Sequence, residues 1–316
     1  MDFIIEQNIL LAAFILDIVS GDPYFLFHPV RWMGKAIKYF EPCFRKIFAN
    51  QVIAGTFFAV FLIFLSWSIT YIIVYLAQFV HPFLKIAMEI IILYFCISIK
   101  SLQKAAMDVY FLLLQKRIDA AKKKVALIVG RDVDKLTEKK IAQAAIETVA
   151  ENLVDGIISP LFFWAMGGAP FAMAYKMINT LDSMVGYKNE KYEKFGKAGA
   201  RIDDFANFVP ARLSIIVISL ASHLLAGRAI SALKCAFEER KNHTSPNAGC
   251  PEAAFAGALD VKLGGPNFYH GRLVFKPYIG NRRKKVKIKD IKKACDLMII
   301  SSVLWVLVVW IFIIVK

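Results

Sequence analysis

The sequence predicts an all-α fold, a polytopic integral membrane helical bundle with broken or re-entrant helices and cytoplasmic helical loops. Three observations predict it. Hydrophobic residues make up 58% of the 316-residue chain and the mean hydropathy is +0.52, against an apolar share of about 45–50% in soluble domains. The apolar residues gather into long runs, two of them charge-free over a bilayer-crossing length. The Lys and Arg residues behind a net charge of +15 fall in blocks between those runs, as in proteins with basic cytoplasmic loops. The same blocks argue against nucleic acid as a partner despite a pI near 9.5: the bases flank apolar segments and no nucleic-acid-binding module is present.

Residues 4–19 are apolar but carry Glu6 and Asp17, a probable or partial span. Residues 52–80 contain no charge; at about 1.5 Å per residue they exceed the roughly 30 Å hydrocarbon core, so this span tilts or extends past it. His81-Pro82 breaks the run, and residues 83–99 return as a second clear span, making a helical hairpin. Residues 157–178 are interrupted by Gly167-Gly168 and Pro170, and residues 209–227 begin with Pro210 and Arg212; both read as probable or partial spans. Residues 297–315 form a final clear span behind the basic run RRKKVKIKDIKK. With no internal repeat or low-complexity tract, residues 1–316 read as a single membrane-embedded domain. The N-terminus lacks the basic region of a cleaved signal peptide and is read as mature from Met1.

Loops 20–51, 100–150 and 228–296 hold more Lys and Arg than Asp and Glu, which assigns them to the cytoplasm and puts the His81-Pro82 tip and the C-terminus outside. Loop 182–208 carries five bases and five acids, so charge does not place it. If 157–178 and 209–227 both cross, it lies outside; if both are partial or buried hairpins, it stays cytoplasmic. The Gly-Gly-x-Pro break favours the second picture, since broken helices at membrane depth are tolerated when packed in protein. The five cysteines are far apart with no CxxC pair, which argues against a zinc site, an iron-sulfur site or a disulfide framework and leaves reduced structural thiols.

Four segments concentrate polar residues. In SGDPYFLFHPVRWMGK, residues 20–35, two X-Pro pairs enforce an extended, turning backbone, and Asp17, Asp22, His28 and Arg31 are placed to converge at the membrane face; a cap and a snorkelling Arg would account for them equally well. In residues 129–156, Thr137 is a candidate cap, and Glu147, Glu151 and Asp155 at i, i+4, i+8 share one helical face beside Asn152. Like charges so spaced repel unless neutralised. A solvated face is the ordinary explanation, but the rest of this helix is apolar, and a bound Mg²⁺ or metal–phosphate complex would explain the carboxylates.

In residues 174–212, Asn179 and Asp182 close an apolar segment, Lys188 and Asn189 follow Gly186, and Asp203, Asp204 and Asn207 precede Pro210 and Arg212, with Arg201 nearby. Acidic pairs near cations suit a Mg–nucleotide or phosphate site, though paired Asp residues at a membrane surface also occur in prenyl-transferring enzymes. In residues 244–280, Ser245-Pro246-Asn247-Ala248-Gly249 opens a helix at Pro251-Glu252, and Gly264-Gly265-Pro266-Asn267 makes another tight loop; exposed N–H groups at such turns bind anions. No Walker A pattern and no GxGxxG after a strand occurs, so a nucleotide site is of another kind. From the residues alone an enzyme, a transporter and an intramembrane prenyltransferase all stay open.

Several strings together, GDPYFLFHPVR, GRDVDKL, AAIETVAENLVDGIISPLFF, NTLDSMVGYKNEKYEKFGKAGARIDDFANFVPARL, SPNAGCPEAAFAGAL and GGPNFYHGRLVFKPYIG, make the chain resemble the adenosylcobinamide-phosphate synthase family, the membrane enzymes of cobalamin biosynthesis. The match runs in order from residue 17 to 280; the hairpin at 52–99 and the last span match only in character. Two positions depart from the family's pattern: Cys250 stands where an aromatic, commonly Trp, is expected, and Phe275 where an acidic residue is expected nearby.

The resemblance implies a membrane-embedded catalytic domain in the cell membrane. Its reaction would be ATP-dependent ligation of aminopropanol phosphate to adenosylcobyric acid, with Mg²⁺ and ATP required and its site on the cytoplasmic face. The lipid bilayer and other membrane-bound enzymes of cobalamin assembly are the expected partners. On that reading Glu147, Glu151, Asp155, Asp182, Asp203 and Asp204 supply metal ligands and a base. Lys188, Arg201, Arg212, Arg31 and Lys276 hold phosphate or carboxylate. Asn152, Asn179, Asn247 and Asn267, with Asp22, His28, Asn189 and Glu252, orient substrates.

Overall fold

A computed structural model of the chain describes residues 2–22, 28–187, 189–269, 271–280 and 284–315. Among these the fold is helical, with four three-residue strands. Among the described residues five helical runs are long and apolar enough to cross a membrane: Gln51–Val80, Pro82–Leu114, Glu138–Val185, Phe208–Ala226 and Lys289–Val315. The chain forms two compact units, one from Met1–Ser98, Asp155–Asn207 and Val306–Lys316, the other from Ile99–Val154 and Phe208–Trp305. Neither is contiguous in sequence, so no linker composition marks a boundary.

The first unit contains α1 (Asp2–Ser20), α2 (Pro29–Ile47), α3 (Gln51–Val80) and α4 (Pro82–Cys96). Asn50 starts α3 by accepting the N–H groups of Val52 and Ile53 on its side chain at 2.9 and 3.3 Å. His81 ends α3 and caps α4 by accepting from the Phe83 N–H at 3.2 Å, with Pro82 in the first turn where no N–H partner is needed. The expected 83–99 span stops at Cys96; after Ile97–Ser98 the chain resumes as α5 (Ile99–Leu114), which belongs to the second unit.

Helix α8 (Ser159–Val185) bears out the break read at Gly167-Gly168: both leave helical geometry, Gly168 at φ +71°. Its C-terminal part packs Met177, Leu181 and Val185 against Met33, Ile37, Ala54, Phe58 and Leu62 of α2 and α3. Helix α9 (Lys197–Ala206) returns against α8 and α3.

In the second unit α5 packs on α6 (Ile118–Val125) and α7 (Glu138–Leu153), while α10 (Phe208–Ala226), α11 (Ala229–Glu239) and α12 (Gly249–Leu259) pack on one another. Segment 209–227, read as either a full or a partial span, is one unbroken 19-residue helix long and apolar enough to cross; Pro210 falls in its first turn, where proline costs no hydrogen bond. The strands make two antiparallel pairs, β1 (Lys262–Gly264) with β4 (Tyr278–Gly280) and β2 (Asn267–Tyr269) with β3 (Arg272–Val274). Helix α13 (Lys289–Val315) closes the chain. All five cysteines are free, and all but Cys43 are buried.

Candidate functional sites in the two units

In the second unit α7 buries every residue from Ile141 to Ala150, including Glu147, which is only 4% exposed. A carboxylate so placed needs compensation, and it has three donors. Arg131 pairs with Oε2, while the Gln143 amide at 2.6 Å and the Gly264 N–H at 2.8 Å donate to Oε1. Gln143 also donates to the Gly264 carbonyl at 2.6 Å, so α7 holds Gly264 by both its N–H and its C=O. Burial works against the Arg131 guanidinium, but Glu147 holds it above its usual range. Among the described residues the partner that neutralises Glu147 is Arg131.

Asp155 does not continue the face shared by Glu147 and Glu151. It lies in a π-helical turn, Val154–Ile158, whose wider winding breaks the 3.6-residue register, and it belongs to the first unit. Thr137 occupies the N-cap position of α7, but its side chain makes no capping bond.

Around Arg131 and Glu147 opens a cavity of about 190 Å³, also lined by Glu151, His243, Glu252, Asn267, Tyr269 and Lys276. Nε2 of His243 lies 3.6 Å from Oε1 of Glu252. Burial, then the charges of Glu147 and Glu151, push Glu252 well above the usual carboxylate range; burial, then Lys276, lowers His243. Both shifts favour the neutral form. Lys276 donates to the Tyr269 hydroxyl at 2.9 Å, and the buried Oδ1 of Asn267 has no hydrogen-bond partner among the described residues. Ser245 Oγ accepts the N–H groups of Asn247 and Ala248 at 3.3 and 3.2 Å, making the tight loop that opens α12. Arg212 donates to Asn247 Oδ1 at 3.1 Å and to the Phe208 carbonyl at 2.6 Å.

In the first unit the polar cluster lies on α8 and α9. Asn207 donates to Asp203 Oδ2 at 3.0 Å, and its own carbonyl oxygen accepts from Ser159 at 2.6 Å and Tyr175 at 2.9 Å. Burial, then the charge of Asp182, pushes Asp203 up to about 7, against the stabilising amides of Asn207 and Asn179. The other oxygen of Asp203, Oδ1, is buried without a hydrogen-bond partner among the described residues. Asp204 also lies within electrostatic reach of Asp182. Lys176 is in turn within electrostatic reach of Asp22, Asp155 and Asp17. His28 caps α2 by accepting from the Val30 N–H at 3.3 Å and sits 3.3 Å from Asp22.

The expected residues thus divide between the units. Glu147, Glu151, Glu252, Asn267 and Lys276 line the second-unit cavity; Asn179, Asp182, Asp203 and Asp204 cluster in the first. Others have different local roles. Asn152 donates to its own helix at Thr148, Asn189 accepts from the Tyr192 N–H in a turn, and Arg31 and Arg201 are exposed. Lys188 and the Pro23–Phe27 part of the first motif lie outside the described residues. Of the departures, Cys250 is fully buried and Phe275 is 80% exposed beside Lys276.

Sequence reasoning did not single out Arg131, Gln143, His243, Tyr269, Ser159, Tyr175 or Lys176. Ser159, Tyr175 and Lys176 carried a usable signal, being polar residues within or at the start of an apolar run.

No three His, Cys, Asp or Glu residues among those described come together as a metal cage. Mg²⁺ is ordinarily held by one or two carboxylates with substrate phosphates and water. The Asp182–Asp203 pair, with one buried carboxylate oxygen lacking a donor, fits that requirement.

Fold and sites define a polytopic helical membrane protein that places buried carboxylates, a cavity lined by cations and carboxylates, and a buried His–Glu pair within its helical units. The family model described as CobD/Cbib protein matches residues 10–298. The chain is 43% identical to the cobalamin biosynthesis protein CobD of Clostridium perfringens over 300 residues, covering 95% of each. It is 43% identical to CobD of Klebsiella pneumoniae and 41% to CbiB of Salmonella typhi, covering 92% of each chain in both cases. It belongs to the CobD/CbiB family. No solved structure matches it.

Proposed function

We propose that this chain is an enzyme of cobalamin biosynthesis that ligates (R)-1-aminopropan-2-ol phosphate to adenosylcobyric acid, giving adenosylcobinamide phosphate, ADP and phosphate. The relatives' names support the pathway. The observation that supports the chemistry is the Asp182–Asp203 pair and its unpartnered buried oxygen.

A carboxylate is a poor electrophile and must be activated. Its oxygen attacks the γ-phosphorus of ATP, the bond to the β–γ bridging oxygen breaks, and ADP leaves. The amine then attacks the acyl carbon, phosphate departs with the electron pair of the C–O bond, and the proton shed by nitrogen passes to a base.

Asp182 and Asp203, with Asp204 beside them, are the residues that would hold Mg²⁺, which neutralises phosphate charge when bound. Ser159 and Tyr175 fix Asn207, and Asn207 fixes Asp203. In the second-unit cavity Arg131 and Lys276 are the cations assigned to a substrate phosphate, Asn267 is an acceptor for a substrate N–H or O–H, and Glu151 and His243 are the candidate proton acceptors.

Alanine at Asp182, Asp203 and Asp204 in turn tests the assignment: turnover falls at Asp182 and Asp203, and near-wild-type turnover in all three variants removes them from the site. The chemistry is assigned to the cytoplasmic face and the C-terminus to the outside. Labelling a Lys191→Cys variant from outside intact cells would overturn the placement of loop 182–208.

A further inference from the structure

At the start of α13 two adjoining hollows in the second unit share Arg228, Leu259 and Lys293. The larger, about 520 Å³, is strongly basic: seven Lys and Arg side chains face two carboxylates. Both carboxylates are already engaged, Asp260 by Lys284 and by Arg228 at 3.9 Å, and Asp290 by Lys293 at 3.1 Å. The ammonium groups of Lys139, Lys285, Lys287 and Lys289 have no carboxylate partner among the described residues. Lys289 opens α13 and Lys293 lies one turn in. There the positive end of the helix dipole disfavours cations and attracts anions.

The smaller hollow, about 330 Å³, is mostly apolar, walled by Leu225 and Ala226 of α10, Ala258 of α12 and Leu297 of α13. Leu297 begins the charge-free run 297–315 one turn after Lys293. The cations therefore sit at the end of an apolar span, where phosphate headgroups lie, and the apolar hollow continues from them. A free phosphate would use only the basic half.

We propose that the paired hollows bind one anionic phospholipid, its phosphate among Lys285, Lys287 and Lys289 and an acyl chain between the ends of α10 and α12 and the start of α13. Basic pockets beside membrane helices hold anionic headgroups in this way, each nearby Lys adding to affinity.

The test uses delipidated full-length protein in detergent and counts bound lipid by native mass spectrometry during titration with phosphatidylglycerol. Wild type should retain one tightly bound phosphatidylglycerol, phosphatidylcholine should not substitute for it, and millimolar inorganic phosphate should not displace it. The variant Lys285→Gln, Lys287→Gln, Lys289→Gln should bind on the order of 100-fold more weakly, with thermal unfolding unchanged because these side chains are exposed. Ala226→Trp, which fills the apolar hollow, should also lose the lipid. Equal binding of phosphatidylcholine, full displacement by phosphate, or unchanged phosphatidylglycerol affinity in either variant would each overturn the proposal.

Discussion

Gly264 donates its backbone N–H to Oε1 of Glu147 at 2.8 Å, joining residues 117 positions apart in sequence. The contact depends on glycine: φ at Gly264 is +70°, and a Cβ would lie 2.6 Å from the Pro277 carbonyl oxygen. Gly264→Ala should cost about 1–3 kcal/mol and reduce activity by loosening the cavity wall. Gly271 has a similar φ of +75° with open space around a Cβ, so Gly271→Ala should cost less. Thermal unfolding of the two variants separates backbone strain from the clash; equal losses would leave the clash with no energetic role.

Arg131 and Glu147 are a buried pair, and breaking such a pair costs more than replacing it. Arg131→Met should destabilise the chain by roughly 3–5 kcal/mol, because it strands the Glu147 charge. The double variant Arg131→Met, Glu147→Met should recover most of that stability and still lack activity. A double variant as unstable as the single one would show that the pair holds the fold by packing rather than by charge.

Gly186 lies at the end of α8 with ordinary φ, yet a Cβ there would come within 2.2 Å of Asp182 Oδ1. Gly186→Ala should therefore displace the Asp182 carboxylate, and it also presses on the Asp182 carbonyl oxygen, 2.6 Å from the same Cβ. The expected outcome is a weaker apparent affinity for Mg²⁺ in the ligation assay, together with a loss of thermal stability from the backbone contact. An unaltered Mg²⁺ dependence would separate Asp182 from the metal.

Asp203 titrates near 7 in the folded chain, above its ordinary value of 3.8, so the native state holds this proton more tightly than the unfolded one. Its contribution to stability is fully present below the unfolded value and is lost as pH rises through the folded one. Wild type should lose thermal stability between about pH 4 and about pH 7 by an increment absent from Asp203→Asn. Mg²⁺ at the upper pH should raise the unfolding temperature of wild type more than that of the variant. Identical pH profiles would remove the shift at Asp203.

Much of the frame was legible because it depends on local pattern. The charge-free run of α3, the His81-Pro82 break and the Gly167-Gly168 kink each follow from short-range sterics or hydropathy. Legible too were the carboxylates of α8 and α9 and the glycine turn at Gly264. What was not legible depends on long-range pairing. That Arg131 pairs with Glu147 requires the loop before α7 to fold back on it, and that His243 meets Glu252 requires the turn before α12. The π turn that moves Asp155 off the shared face left no mark in residue spacing. Lys176 was legible in principle, as a cation in an apolar segment.

Amide ligation by the purified chain is open to direct measurement. Purified chain is supplied with ATP, Mg²⁺, adenosylcobyric acid and aminopropanol phosphate, and the corrinoid is read by mass. Adenosylcobinamide phosphate should form with one ADP per amide, and neither product should form with Asp203→Ala. Intact adenosylcobyric acid as the only corrinoid, from folded protein beside a working control, would contradict amide ligation.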